Sequence, residues 1–282
     1  MSGTSLSWSV HTAPSIPTEV SDLPPDLPRR MWSPITATLI AGELDAVLVD
    51  ALMTTEQAGR LADWVAASGK NLTTVFITHG HGDHWFGLGT LLDRFPNARA
   101  VAAPAVVAQM KEQMASDAVG SLWNARFPSQ IPDRLVTAEP LVGDRLQLEG
   151  NDLVVVRLGH TDTDDTTCLH VPSIGLVVAG DAVYNDVHLY LTESSAEGRR
   201  AWLHALDTIA ALDPQAVVAG HKRPGSPDDP KNIAETAKYI HDFETVAERT
   251  ATALELYQGM LKLHPDRVNR GALWGSARSA KG

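Results

Sequence analysis

The sequence predicts an α/β protein in which helices cover the sheets, and three observations predict it. The near-continuous apolar runs 153–158, 176–179 and 216–219 indicate strands buried on both faces. Stripes at helical spacing alternate with such runs, as at Ala58, Leu61, Ala62 and Val65. Each apolar run also ends in glycine and then a polar side chain: Gly159-His160, Gly180-Asp181 and Gly220-His221. Glycine lets the backbone bend and approach closely, so the three polar groups can meet at one sheet edge.

The elements follow in order. Residues 1–34 carry Pro14, Pro17, Pro24, Pro25, Pro28 and Pro34 with little periodicity, so they read as an extended arm without chemistry of its own. Residues 35–40 and 46–49 read as two short strands turned at Gly42. Thr54 and Gln57 form a capping box, and the helix they open runs to Gly69. A strand over 73–77 leads into Thr78-His79-Gly80-His81-Gly82-Asp83-His84. A helix after Trp85, a strand near 98–102 and a helix over 104–115 come next, whereas 117–150 reads as loops with one short strand. After the strands at 153–158, 166–171 and 176–179, a helix near 195–211 places Trp202, Leu203, Leu206 and Ile209 on one stripe. Beyond the strand at 216–219, Asp229-Pro230 reads as N-cap and N1, and Ile233, Ala237, Ile240 and Phe243 continue into a long or broken helix, or a pair, over 230–263. The chain thus divides into an arm (1–34), a core (35–225) and C-terminal helices with a basic tail (226–282), in which Arg267, Arg270, Arg278 and Lys281 read as solvated.

Composition narrows the function classes. A chain of 282 residues that is 44% hydrophobic buries a large core. Its net charge of −11 argues against a nucleic-acid partner, whose phosphates need a basic surface. The single cysteine, Cys168, excludes an internal disulfide. Without a basic leader or a membrane-length apolar run, a soluble cytoplasmic protein with no membrane partner is expected.

The histidine cluster carries the chemistry. His79 and His81 are two apart, so extended backbone points both imidazoles to one side, while turns at Gly80 and Gly82 let Asp83 and His84 swing to a neighbouring position. Zinc takes such nitrogen and carboxylate donors, and a catalytic site keeps about three of them plus an open position. Each pair therefore needs at least one more ligand. His160 and His221 supply it, and Asp181 can bridge two metals about 3.5–4 Å apart.

This pattern, His79-x-His81-x-Asp83-His84 followed by His160, Asp181 and His221, resembles the metallo-β-lactamase superfamily of hydrolases from about residue 35 to 221. The resemblance implies a four-layer αβ/βα sandwich of two mixed sheets flanked by helices, with the active site on one edge. It puts His79, His81 and His160 on one divalent ion, Asp83, His84 and His221 on a second, and Asp181 across both; zinc is the expected metal, with iron or manganese as alternatives. Several antibiotic-degrading members hold a cysteine near position 181, so a β-lactamase is disfavoured here. Asp181-Ala182-Val183-Tyr184 is similar to the Asp-x-x-Tyr of the lactonase branch, which implies that the Tyr184 hydroxyl assists the substrate carbonyl or leaving oxygen. Asp83 would hold the attacking water and pass its proton on.

The expected activity is opening of a lactone or other carboxylic ester, with two alternatives. One is a thioesterase resembling glyoxalase II or polyketide-releasing enzymes; the other is a mononuclear non-haem iron sulfur dioxygenase. The partner is then a small-molecule ester, lactone or thioester. Asp162, Asp164 and Asp165 read equally as a polar loop capping local N–H groups or as support for the ligands. His188 and Tyr190 are pocket candidates, whereas His11, His170, His204, His241 and His264 read as ordinary surface, strand or core residues. Trp85, Phe86, Trp123 and Phe127 supply either an apolar wall or core, and the late helices either roof the pocket or form a homodimer contact.

Overall fold

The computed structural model describes residues 5–282; residues 1–4 of the expected arm lie outside the described residues. The chain opens with β1 (Ser7–Ala13) and the short strands β2 (Pro17–Thr18) and β3 (Arg30–Met31), then β4 (Ile35–Ala41) and β5 (Asp45–Val49). Helix α1 (Thr55–Ala67) starts at Thr54 with both halves of the capping box in place. Strand β6 (Asn71–Ile77) enters the histidine cluster, where α2 (Gly82–Trp85) and α3 (Leu88–Arg94) follow at once. Then come β7 (Arg99–Ala102), α4 (Pro104–Ala115), a π-helical turn (Val119–Asn124), β8 (Glu139–Pro140) and β9 (Arg145–Leu148). The second half runs β10 (Asn151–Gly159), β11 (Thr166–Val171), β12 (Leu176–Asn185), α5 (Ala196–Ala210), β13 (Ala216–Lys222), α6 (Lys231–Arg249), α7 (Ala253–Leu263) and α8 (Arg270–Lys281).

Two mixed sheets face each other. One has the order β1-β4-β5-β6-β7-β8 and the other β13-β12-β11-β10-β9. Between them pack Ile40, Val47, Val49, Phe76 and Val101 of the first sheet against Leu153, Val155, Leu169, Val178 and Val218 of the second. The outer face of the first sheet buries Leu48, Val75 and Ile77 against Leu61 and Val65 of α1 and Val106 of α4. The outer face of the second buries Val177, Ala179 and Val217 against Trp202 of α5, Phe243 of α6 and Leu256 of α7. This is the four-layer sandwich that the sequence led us to expect, and each fully buried Leu, Ile or Phe contributes about 1.5–3 kcal/mol to it.

Three segments differ from their sequence reading. The proline-rich region 1–34 is not a chemically idle arm: β1 pairs antiparallel with β4 over the full length Ser7–Ala13, and the stretch before β4 reaches the site described below. Its alternating residues Trp8 and Val10 pack on the inter-sheet core, which a free arm could not do. Region 117–150 holds two short strands rather than one, each pairing at a sheet edge. The basic tail folds into α8, which buries Leu273 and Ala277. Among the described residues, no helix is long and apolar enough to cross a membrane.

Candidate metal centre

Six of the seven predicted donors, all but His160, gather beyond β6, within β12 and near the end of β13. Gly180 takes a left-handed φ of 53°, and a Cβ there would stand 2.7 Å from Thr78 Oγ1; a Cβ on Gly220 would stand 2.1 Å from Asp181 Oδ1. Glycine at these two positions therefore lets the strand ends close on one another. Three overlapping groups have ligand atoms all within 4.8 Å of one another: His79, His84 and Asp181; Asp83, His84 and His221; and His79, His81 and Asp162.

Each imidazole has one nitrogen anchored and the other turned inward. His79 Nδ1 lies 2.9 Å from Thr78 Oγ1, His84 Nδ1 2.9 Å from Asp50 Oδ2, and His221 Nδ1 2.8 Å from the Pro34 carbonyl. His81 is reversed, with Nε2 3.3 Å from Glu193 Oε2 and Nδ1 2.8 Å from Asp162 Oδ2. Asp181 spans the space, Oδ1 3.2 Å from His84 Nε2 and Oδ2 3.0 Å from His221 Nε2. Asp83 Oδ2 is 3.5 Å from His221 Nε2 and accepts the Trp32 indole N–H at 2.9 Å. Four buried atoms face this space outside hydrogen-bonding geometry: His79 Nε2, Asp162 Oδ2, which meets His81 Nδ1 as an ion-pair contact, and His84 Nε2 and Asp181 Oδ1, which meet each other in the same way. Buried polar atoms left unpaired cost about 1–3 kcal/mol each, and nitrogen and carboxylate donors aimed at one point fit a divalent ion, so the cluster suits a metal. Anchoring of the far ring nitrogen by a carboxylate, hydroxyl or carbonyl is how metal-ligating histidines are commonly oriented.

Electrostatics agree. Burial, reinforced by neighbouring His84, lowers the His79 pKa to about 3, so its ring is neutral with a free lone pair on Nε2. Burial works against protonation of His84 as well, but Asp181, Asp83 and Asp50 outweigh it and raise its pKa; Asp162 and Glu193 do the same for His81. Three buried aspartates, Asp83, Asp162 and Asp181, around these rings make a site that favours positive charge.

The structure does not bring His160 to this group. Its Nδ1 is 2.6 Å from Asp164 Oδ1 and its Nε2 2.9 Å from Ser194 Oγ, and the ring packs on the first turn of α5 at Gly198. A β-bulge between Arg157 and Gly159, with Gly159 left-handed at φ 76°, re-aims the chain so that Asp162 faces inward instead. Asp162 is fully buried, its Oδ1 held 2.9 Å from Thr161 Oγ1. The sequence carried one signal for it, its position two residues beyond His160 at a strand end rich in donors. Asp50 carried none: a left-handed φ of 64° at the end of β5 turns it under Thr78 and His84, where it accepts the Thr78 N–H at 2.9 Å.

Tyr184 is buried, its ring 5.5 Å from that of His221, and its hydroxyl donates to Asp181 Oδ2 at 2.9 Å. Burial, then the Asp181 carboxylate, raises its pKa far above neutrality, so it stays a donor. A cavity of about 460 Å³ opens from Asp83, Asp181, Tyr184 and His221 past Tyr190, Trp32 and Trp123 to α8. Of the other candidates, Tyr190 lines it, while His188 turns away to the Tyr239 hydroxyl at 2.9 Å. Trp85 and Phe86 are core, and Phe127 stands behind Trp32 at 5.4 Å between ring centroids.

Comparison with known proteins agrees with this layout. Residues 30–221 match the family description "Metallo-beta-lactamase superfamily". An uncharacterised protein of Bacillus subtilis, YobT, is 25% identical over 154 residues, which are 53% of this chain and 62% of that relative, so the match spans less than two thirds of its length. Among solved structures, a metallo-beta-lactamase family protein from Thermus thermophilus superposes with a TM-score of 0.63 at 21% identity, covering 96% of this chain and 91% of its own. A metallo-beta-lactamase from Pontibacter korlensis gives 0.61 at 15% identity, covering 84% of this chain and all of its own.

Proposed function

The chain belongs to the metallo-beta-lactamase superfamily, and from that premise we propose that it is a metal-dependent hydrolase that opens a lactone or other carboxylic ester. The observation that carries the reading is the convergence of His79, His81, Asp83, His84, Asp162, Asp181 and His221 in three overlapping donor groups, of which His81, Asp83, Asp162, Asp181 and His221 line one cavity. On this reading His79 and His81 hold one divalent ion and Asp83, His84 and His221 hold another, with Asp181 between them. The third place beside His79 and His81, which the family pattern offers to His160, goes to Asp162, because both His160 nitrogens are engaged elsewhere. Two such ions, most simply zinc, supply a Lewis acid for the carbonyl and bring the pKa of water from 15.7 toward about 7.

The chain's own groups supply the rest. Tyr184, neutral and buried, can donate its hydroxyl hydrogen to the oxygen that gains negative charge as the carbonyl carbon becomes tetrahedral. Trp32 fixes one oxygen of Asp83, leaving the other to take the proton of the attacking water. As the ester C–O bond breaks, that proton passes to the leaving alkoxide, so acid and alcohol are released with no covalent enzyme intermediate. Trp32 and Trp123 wall the cavity and limit water to the reacting end.

The test is metal analysis of purified protein together with turnover of a panel of lactones, aryl esters and acyl thioesters. About two divalent ions per chain and chelator-sensitive lactone or ester turnover are expected, with a loss of about 10²-fold in kcat but no loss of metal in Tyr184→Phe. Chelation without effect on the rate overturns the reading. A second reading rests on one observation: His79, His81 and Asp162 form a two-histidine, one-carboxylate group, the donor set of non-haem iron oxygenases. Iron at about one equivalent with oxygen consumption on a sulfur substrate would establish it in place of hydrolysis.

A further inference from the structure

Away from the donor cluster, the mouth of the cavity is lined by three arginines from three separate parts of the chain: Arg30, Arg126 and Arg278. They belong to β3, to the turn region after the π-helical segment, and to α8. In a chain with a net charge of −11 this is a local concentration of positive charge.

One carboxylate, Asp22, faces all three arginines and leaves an excess of positive charge. Asp22 is 2.8 Å from Arg278 Nη1 and 3.8 Å from Arg30 Nη1, and it also accepts the Trp274 indole N–H. The other carboxylate at the mouth, Glu193, is engaged by His81 at 3.3 Å and by the Tyr190 hydroxyl at 3.1 Å. Arg126 makes no ion pair or side-chain hydrogen bond among the described residues and lies 5.8 Å from the Trp32 ring. Burial, then the field of Arg126, lowers the Arg30 pKa, with Arg278 adding to it and Asp22 opposing.

The fold makes room for this arrangement. Arg30 lies along α8 over Gly271 and Gly275, where a Cβ would stand 2.7 Å from its Cγ and 3.0 Å from its Nη2. Three guanidinium groups against one carboxylate leave the mouth favourable to a further anion, most of all beside Arg30, whose side chain is largely buried. Guanidinium forks match oxyanions in geometry as well as charge.

We propose that this mouth recognises an oxyanion group, a carboxylate or a phosphoryl or sulfuryl group, at the non-reacting end of the substrate. The inference rests on the hydrolase reading for the word substrate, and it narrows the substrate class to anionic esters or lactones. The arginines position the ligand and take no part in bond breaking.

The test pairs each neutral aryl ester with an analogue carrying a distal carboxylate and one carrying a distal phosphonate, on metal-loaded enzyme. A preference for an anionic member in kcat/KM is expected. It should shrink about tenfold, chiefly through KM, in each of Arg126→Gln and Arg278→Gln, with Arg126→Lys in between. Calorimetric titration with benzoate, phenylphosphonate and benzyl alcohol runs in parallel and needs no turnover. Binding of the anions that weakens in the Gln variants supports the site, and the tighter of the two anions identifies the group. Equal preference for neutral and anionic esters, or a preference that the variants leave intact, overturns it. Absence of turnover on every ester with arginine-dependent benzoate binding removes the hydrolase reading and retains the anion site.

Discussion

Position 162 is where the proposed ligand set departs from the family pattern. Both nitrogens of His160 are engaged by Asp164 and Ser194, whereas Asp162 Oδ2 lies between His81 Nδ1 at 2.8 Å and His79 Nε2 at 3.8 Å. On the proposed ligand set, a carboxylate in place of a neutral imidazole adds a negative charge beside a divalent ion. Asp162→Ala is therefore expected to lose about one of two metal equivalents, while His160→Ala keeps both; elemental analysis after dialysis checks it, and the opposite pattern returns the ligand role to His160. At this scale the sequence was legible wherever spacing alone sets direction. His79, His81, Asp83 and His84 converge because two-residue spacing and glycine turns leave few alternatives, and Asp181 and His221 because their strands are parallel neighbours. Asp162 and Asp50 were not legible in the same way. Their placement depends on a β-bulge and on a left-handed aspartate, neither of which composition reveals.

Among the elements, those with strong local signals matched their reading. Thr54 and Gln57 close the expected capping box, and α4 begins and ends where Pro104 and the apolar spacing place it. Helix α8 went unread because its sequence, RGALWGSARSAK, holds two glycines and few large apolar residues. Its stability comes from tertiary contact: Leu273 is fully buried beneath α7, Asn269 caps the first turn, and Arg270 and Arg278 pair with Asp26 and Asp22. Leu273→Ala should accordingly cost about 2–5 kcal/mol in urea unfolding, as a core substitution does. A change within about 0.5 kcal/mol would return the segment to the status of a surface tail.

For the molecule as a whole, one contribution to acid stability comes from His188, a histidine outside the three donor groups. Burial, then the charge of Arg267, lowers the His188 pKa from 6.5 to about 3, so the folded chain leaves it neutral where the unfolded chain protonates it. Between those two values the unfolded state binds more protons, so stability falls as pH drops below about 6.5. By pH 5 the loss amounts to about 2 kcal/mol, and His188→Leu should remove that share of the difference between urea unfolding at pH 7 and at pH 5. The α/β class was legible because apolar runs and helical stripes alternate, whereas the four layers came from the family resemblance. The joining of remote segments was not legible: Trp32 bonds Asp83, Asn269 bonds Ser33, and Tyr257 bonds Asp26. The mouth thus joins a segment near residue 30 to one beyond residue 269, packed against each other. During synthesis on the ribosome, a nascent chain halted at residue 260 would already contain every proposed metal ligand. It would still lack Asn269, Arg278 and the glycine trough beneath Arg30, so on the proposed reading the growing polypeptide could hold metal before it could discriminate among anionic substrates.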